Sequence, residues 1–305
     1  MGFIKQANKI ANLLPEWAWN FASREPITTY NPTRTASERE EPNQSLYSIY
    51  SYDASQLEER ISHLEADCVI HPESKKVTWI NIDGLKKLEV ERISTRLGIH
   101  NLLIEDILSS GQRAKMDEIG NIIFCLLPML YYNEGTGVVE SEQASIILGG
   151  NFDLSFQEDP ERDVFDPVRE RLRNNVQKLR GSTSDYLCYS LIDVIVDSYF
   201  DVIEKLSERI ERLEEALLSN KEKTALPKIS ILRREIMLLR RTIMPVRDLV
   251  NGIVRSENDV LEERNEKYFK DVLDHIIQAN EYADNQRDMM MNLQDLSMSQ
   301  INTRL

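Results

Sequence analysis

The chain has 305 residues, of which 41% are hydrophobic, and its 51 acidic and 37 basic residues give a formal net charge of −14 at pH 7. This acidity excludes nucleic acid as the main partner, because phosphate binding needs clustered lysine and arginine. Cys68, Cys125 and Cys188 are far apart and form no CxxC pair, which excludes a zinc knuckle or a disulfide framework and fits cysteines buried in a reduced, cytosolic protein.

Residues 1–44 are predicted to be an N-terminal extension that ends in a linker. The first 26 residues interrupt their apolar positions with charges, so they favour a short amphipathic packing helix, or association with a membrane surface, over a secretion signal. Residues 28–44 are polar, contain two prolines and show no apolar period, which is typical of a linker. No run in the chain reaches the roughly 18 apolar residues that are needed to cross a bilayer.

Residues 45–181 are predicted to form an α/β domain, because strand and helix patterns alternate along them. Strands are predicted at 45–52, 76–82, 121–132 and on both sides of a Gly149–Asn151 hairpin turn, and helices at 54–65, 85–98, 100–110 and 161–179. Elements mixed in this way predict an α/β sandwich, with a central mixed sheet between helix layers.

Residues 182–305 are predicted to be almost wholly helical, since they contain only Pro227, Pro245 and Gly252 as helix breakers. Two heptad runs, at Ile203, Leu206, Ile210, Leu213 and Leu217 and at Ile229, Leu232, Ile236, Leu239, Ile243, Val246 and Val250, predict a long antiparallel helical hairpin over 182–262. Pro245 is expected to kink its second arm. A stalk helix of roughly 60 Å over 263–305 follows.

The stalk segment carries a stripe of acidic residues. Asp274, Glu281, Asp288 and Asp295 recur every seven residues, close to two helical turns, so their carboxylates share one face. Arg287 and Arg304 are too few to neutralise them by i,i+4 pairing, so the stripe needs another cation or stays in water. A separate apolar face must pack on something, and self-association of the stalk is the expected solution; its positions are Ile276, Ala279, Ala283, Met290 and Leu293.

No nucleophile and base stand in a known catalytic frame, and we therefore do not expect an enzyme. The residues that could bind a cation are mainly carboxylates, at Glu105–Asp106, Asp271 and Asp274, with the imidazole of His275 beside them. Carboxylates without thiolates suit hard cations such as Mg²⁺. Spacing alone is equally compatible with ordinary surface acids on a short helix.

Several motifs over residues 45–305 resemble, in order and spacing, the cytoplasmic part of the CorA magnesium transporters. They are TWINIDGL, LGIHNLLIEDIL with GQRAKMDE, SFQEDPERDVFDPVRERLR, DYLCYSLIDVIVDSYFDVIEKL, RRTIMPVRDLV and YFKDVLDHIIQANEYADNQRDMM. The resemblance implies a sheet sandwiched by helices, a helical hairpin and a stalk helix that enters the membrane and lines a pore. It also implies a homopentamer that conducts hydrated Mg²⁺, and sometimes Co²⁺ or Ni²⁺, into the cytoplasm.

The resemblance also implies metal sites. The family's regulatory site uses the second acid of the Glu-Asp pair, here Asp106, and an aspartate of the neighbouring subunit, here Asp271. A second implied site comprises Glu105, Asp193 and His275. Asp295 resembles the acidic ring at the cytoplasmic mouth of the pore.

The resemblance therefore implies a magnesium-sensing and gating domain at the cytoplasmic face of the inner membrane, with Mg²⁺ as both the regulatory and the transported ion. The family continues with two membrane helices and a Gly-Met-Asn selectivity motif, which the 305 residues lack, so the chain is expected to be a truncated cytoplasmic part that conducts no ions by itself. Two alternatives remain: a soluble coiled-coil scaffold whose acids keep it dissolved, and a zinc transporter relative on the same fold.

Overall fold

The computed structural model describes residues 41–109, 111–219 and 225–304. The predictions for most of the N-terminal extension, for part of the turn between the hairpin arms and for the last residue therefore lie outside the described residues.

The centre of the fold is a seven-stranded mixed sheet in the order β2-β1-β3-β7-β6-β5-β4. The strands are β1 (Leu46–Tyr52), β2 (Leu57–Ser62), β3 (Val77–Asp83), β4 (Lys115–Ile119), β5 (Ile122–Asn133), β6 (Val138–Leu148) and β7 (Phe152–Gln157). Strands β3 and β7 pair in parallel, and all the other neighbours pair antiparallel. The predicted hairpin turn after Leu148 is confirmed, since β6 and β7 are antiparallel across it.

Helices cover both faces of this sheet. They are α1 (Lys87–Arg96), α2 (Asn101–Leu108), α3 (Asp166–Arg173), α4 (Gln177–Arg180), α5 (Ser184–Leu218), α6 (Ala225–Arg255) and α7 (Glu266–Arg304). Strand β3 is buried along its whole length, and because successive side chains point to opposite faces, Trp79 joins the core beneath α3 and α5 while Ile80 joins the core beneath α1 and α2. The predicted α/β sandwich followed by long helices is confirmed.

The long helices α5, α6 and α7 pack together as a bundle. Asp185 at the start of α5 contacts Asn265 just before α7, and Ile203 farther along α5 contacts Gln286 of α7, so these two helices run parallel. Contacts between α6 and α7, such as Arg240–Asp284 and Arg233–Gln294, run in opposite senses. Helix α6 is therefore antiparallel to both, as the predicted hairpin requires.

The heptad positions predicted for the hairpin are all buried, and so are the five apolar positions predicted for the stalk. Helix α7 packs on α5 and α6 of the same chain. The expectation that its apolar face needs self-association for cover was therefore wrong, because the hairpin runs alongside α7 and covers that face. Pro245 lies within α6, which continues through it.

Three local predictions differ from the structure. Residues 54–65 were predicted as a helix but contain the edge strand β2, and β4 was not predicted. The helix predicted over 161–179 is two short helices, α3 and α4, separated by a break in which Asn175 adopts a positive φ of 52°. The division at residues 181 and 182 stays a prediction, and one hydrophobic core extends across it from the sheet into the long helices.

Candidate metal centre

Two aspartates and a histidine meet where α5 and α7 run side by side. Asp193, Asp197 and His275 each offer one ligand atom, and these atoms all lie within 4.8 Å of one another. The Nδ1 atom of His275 lies 4.0 Å from Oδ1 of Asp193 and 3.9 Å from Oδ1 of Asp197. The aspartates share one face of α5 because they are four residues apart, and the parallel packing of α7 brings His275 opposite them.

The electrostatics of this cluster favour a cation. Desolvation between the helices raises the pKa of Asp193, and the nearby carboxylate of Asp197 raises it further. Desolvation also raises the pKa of Asp197, where His275 acts in the opposite direction and Asp201 and Asp271 add further negative charge. A bound cation would relieve this repulsion and make the ionised carboxylates favourable.

Two neighbouring aromatic residues contact the cluster. The Tyr189 hydroxyl donates a long hydrogen bond of 3.4 Å to Asp193, and the ring of Phe200 lies edge-on to His275 at 6.4 Å between centroids. The Nδ1 atom of His275 is buried and has no hydrogen-bond partner in the described structure. Two carboxylates and a free imidazole nitrogen fit Mg²⁺ through the oxygens and Co²⁺, Ni²⁺ or Zn²⁺ through all three groups.

The Glu105–Asp106 pair lies elsewhere, on α2. The Nζ atom of Lys115 on β4 lies 2.6 Å from Oδ2 of Asp106, whose side chain is only 16% exposed. Burial alone would lower the pKa of Lys115, but the hydrogen bond to Asp106 and the charge of Asp106 raise it overall. Glu105 is partly buried on the same helix.

The structure therefore brings some of the predicted site residues close together. Asp193 and His275 come together, as expected for the second implied site, but within one chain their third partner is Asp197 and not Glu105. Asp271 is exposed and lies close enough to Asp197 to affect its titration. The Asp106–Asp271 pair was implied between two subunits, so it stays a prediction.

The acidic stripe of α7 is neutralised only in part. Asp284, which lies within a turn of the stripe, pairs with Arg240 of α6, and Asp288 pairs with its neighbour Arg287 at 2.7 Å. Asp274, Glu281 and Asp295 are exposed and have no ion pair among the described residues. The predicted stripe thus stands largely in water within one chain.

Asp197 is the candidate ligand that the sequence interpretation missed. Its signal was the four-residue repeat of aspartate at 193, 197 and 201, which places three carboxylates along one side of a helix. In sequence this repeat is hard to tell from a solvated face. Only the position of α7 beside it shows that two of the three aspartates approach a histidine.

Among the described residues, no helix combines the length and apolar character that a membrane span requires. The family model described as "CorA-like Mg2+ transporter protein" matches residues 74–305. The chain is 40% identical over 233 residues to the cobalt/magnesium transport protein CorA of Thermotoga maritima, and the match spans 76% of this chain and 66% of that relative.

Two solved structures from Methanocaldococcus jannaschii share the fold. The complete CorA magnesium transporter has a TM-score of 0.67 at 16% identity, covering 85% of this chain and 78% of that chain. The soluble domain of the same transporter has a TM-score of 0.67 at 15% identity, covering 83% of this chain and 96% of that chain.

Proposed function

The chain belongs to the CorA-like Mg²⁺ transporter family, and from this premise we propose that it is the magnesium-sensing and gating domain of a divalent-cation channel. The domain would work at the cytoplasmic face of the inner membrane, in a homopentamer that conducts Mg²⁺ and also Co²⁺ or Ni²⁺. The family is one of transporters.

The observation that supports this proposal most directly is the Asp193–Asp197–His275 cluster. It lies between α5, which packs on the sheet, and α7, the predicted stalk helix. A cation held there would join the α/β body to the stalk. Asp271, one helical turn before His275 on α7, extends the negative charge along the exposed side of the helix.

The physical basis of sensing is the relief of repulsion by divalent ions. Two unit charges at 4 Å repel by about 1 kcal/mol even in water, and this repulsion recurs in every subunit of a symmetric ring. At high Mg²⁺ concentration, ions at Asp106 and Asp271 would hold the subunits in a closed arrangement, and an ion at the cluster would hold α7 against α5 within each subunit. As the concentration falls, the sites empty and the equilibrium shifts toward a splayed, conducting arrangement, because the ions bind the closed state more tightly.

The test is protection from limited proteolysis as a function of Mg²⁺ concentration, measured on the full-length assembled protein. The double variant Asp106→Asn with Asp271→Asn should lose most of the Mg²⁺-dependent protection, since both charges of the implied intersubunit site are removed. The matched control is Glu281→Gln, which removes an exposed carboxylate of α7 away from the cluster. Protection that is unchanged in the double variant would contradict the sensing role.

The two alternatives predict other outcomes. A scaffold whose acids only keep it dissolved would show equal protection with Mg²⁺ and with a matched ionic strength of Na⁺. A zinc transporter relative would be protected by Zn²⁺ at concentrations at which Mg²⁺ has no effect. Titrations with Mg²⁺, Co²⁺ and Zn²⁺ at constant ionic strength separate these cases.

A further inference from the structure

Asp106 already has a cationic partner within its own chain. The ammonium group of Lys115 lies 2.6 Å from Asp106 and also 3.4 Å from Oδ2 of Asp117. We propose that Lys115 is a tethered competitor that divalent cations must displace from Asp106, and that it thereby sets the concentration at which the site fills. This inference rests on the proposed function, because it concerns the same sensing carboxylate.

The position of Asp106 is fixed from both sides. Its backbone carbonyl accepts a hydrogen bond of 3.1 Å from the Gln143 side chain on β6, and the buried residues Ile107 and Leu108 anchor the end of α2 in the core. The carboxylate therefore cannot move far from β4. The lysine is the mobile partner, since its ammonium is carried on a flexible four-carbon chain.

Asp117 provides a second position for the ammonium group. Lys115 and Asp117 are two residues apart on β4, so both side chains project from the same face of the strand. The side chain of Asp117 is 45% exposed, against 16% for Asp106. When a divalent ion takes Asp106, the ammonium can pair with Asp117 and keep an ionic partner.

This arrangement makes two substitutions act in opposite directions. Lys115→Met removes the competing charge but keeps most of the aliphatic chain, so the Mg²⁺ concentration at half protection should fall about fivefold, the factor that corresponds to about 1 kcal/mol for a partly exposed ion pair. Asp117→Asn removes the second position and commits the ammonium to Asp106. The concentration at half protection should then rise by roughly twofold to threefold.

The experiment measures Mg²⁺-dependent protection from proteolysis on the full-length assembled protein for five variants. They are Lys115→Met, Lys115→Arg, Asp117→Asn, the double variant Lys115→Met with Asp117→Asn, and Asp106→Asn. Lys115→Arg keeps the charge and should stay within about twofold of the wild type. In the double variant the effect of Asp117→Asn should disappear, because there is no ammonium group left to redirect. Thermal denaturation of each variant shows that differences in protection do not come from loss of folding.

The outcomes distinguish this inference from the proposed function. If Asp106→Asn moves the midpoint and Lys115→Met does not, the competitor role is wrong and the sensing role stands. If Asp117→Asn has the same effect with and without Lys115, the redirection of the ammonium group is wrong. If Asp106→Asn itself leaves the midpoint unchanged, both are overturned.

Discussion

Asp153 is a carboxyl group enclosed in the core between the sheet and α5. It is fully buried, and neither of its oxygens has a hydrogen-bond partner among the described residues. Burial raises its pKa well above the usual value, and the nearby charge of Asp185 raises it further. An ionised carboxylate would be very costly at this position, so the folded protein holds the group in its protonated form.

The pH dependence of stability should therefore change in Asp153→Asn. The folded state binds a proton that the unfolded state releases above about pH 4, so the stabilisation from this group is lost as the pH rises toward the raised pKa. The amide cannot titrate, and the stability of the variant relative to the wild type should increase from pH 5 to pH 8. Urea denaturation at each pH measures this difference in the free energy of unfolding. The control is Glu170→Gln, a substitution of an exposed glutamate. Parallel pH profiles for wild type and variant would contradict the assignment.

At the residue scale, the sequence placed Asp193 and His275 in a metal site only through family resemblance. Composition and spacing identified carboxylates without saying which of them meet. Asp197 was missed because the approach of α5 and α7 depends on packing along both helices, and no local pattern reports the distance between two helices 80 residues apart. The pairing of Asp106 with Lys115 was unforeseen for the same reason, since it depends on where the unpredicted strand β4 lies.

At the scale of elements, a buried ion pair fastens α5 to α6. The guanidinium of Arg209 pairs with Glu235, whose side chain is 1% exposed, and also donates to the carbonyl of Gly137 at 2.7 Å in the turn between β5 and β6. Burial raises the pKa of Glu235, while Arg209 opposes this effect. The pair thus connects three elements through groups that are shielded from water.

Removing one partner should be more harmful than removing both. Arg209→Met leaves Glu235 buried without a counter-ion and should lower the free energy of unfolding by about 3–5 kcal/mol. The double variant Arg209→Met with Glu235→Leu should recover much of this loss, because no charge then remains buried. Arg212→Met, which breaks the exposed pair with Glu208, is the control and should cost at most about 1 kcal/mol. Urea denaturation measures the free energy of unfolding of each variant. A double variant no more stable than Arg209→Met would contradict the prediction.

The sequence predicted the long helices well and the short elements unevenly. Heptads over many turns leave little freedom of interpretation, and every position in them is buried. The edge strand β2 was predicted as a helix because Leu57, Ile61 and Leu64 have helical spacing. The chain instead turns at Asp53, whose side chain accepts hydrogen bonds from the backbone of Gln56 and Ser55, and β2 pairs along β1. Tertiary pairing therefore overrides local propensity at the sheet edge.

At the scale of the whole molecule, the sheet and the helix bundle share a core. The first half of α5 covers β5 and β6, so Leu187, Leu191 and Ile195 bury apolar surface of the sheet, while Leu206 and Ile210 of the same helix lie in the bundle. A chain that ends at residue 181 would expose that face of the sheet to water. The predicted boundary at this position therefore separates two patterns of sequence within one hydrophobic core.

Unfolding should consequently be cooperative across this boundary. In a variant with Trp17→Phe and Trp19→Phe, the buried Trp79 reports on the sheet, while far-UV circular dichroism reports mainly on the long helices. The two signals should share one denaturation midpoint, and a fragment of residues 41–181 should lack a cooperative transition. Two separate midpoints, or a fragment that folds, would show that the parts are independent.

Helix α7 is long, so a small tilt at the candidate metal centre becomes a larger displacement at its far end. His275 and Asp295 are 20 residues apart on this uninterrupted helix, which corresponds to about 30 Å along its axis. A tilt of about 5° pivoting at His275 would displace Asp295 sideways by roughly 2.6 Å, a distance set by the rise per residue of the helix. A small adjustment of α7 at the cluster would thus become a larger sideways displacement at the far end of the helix.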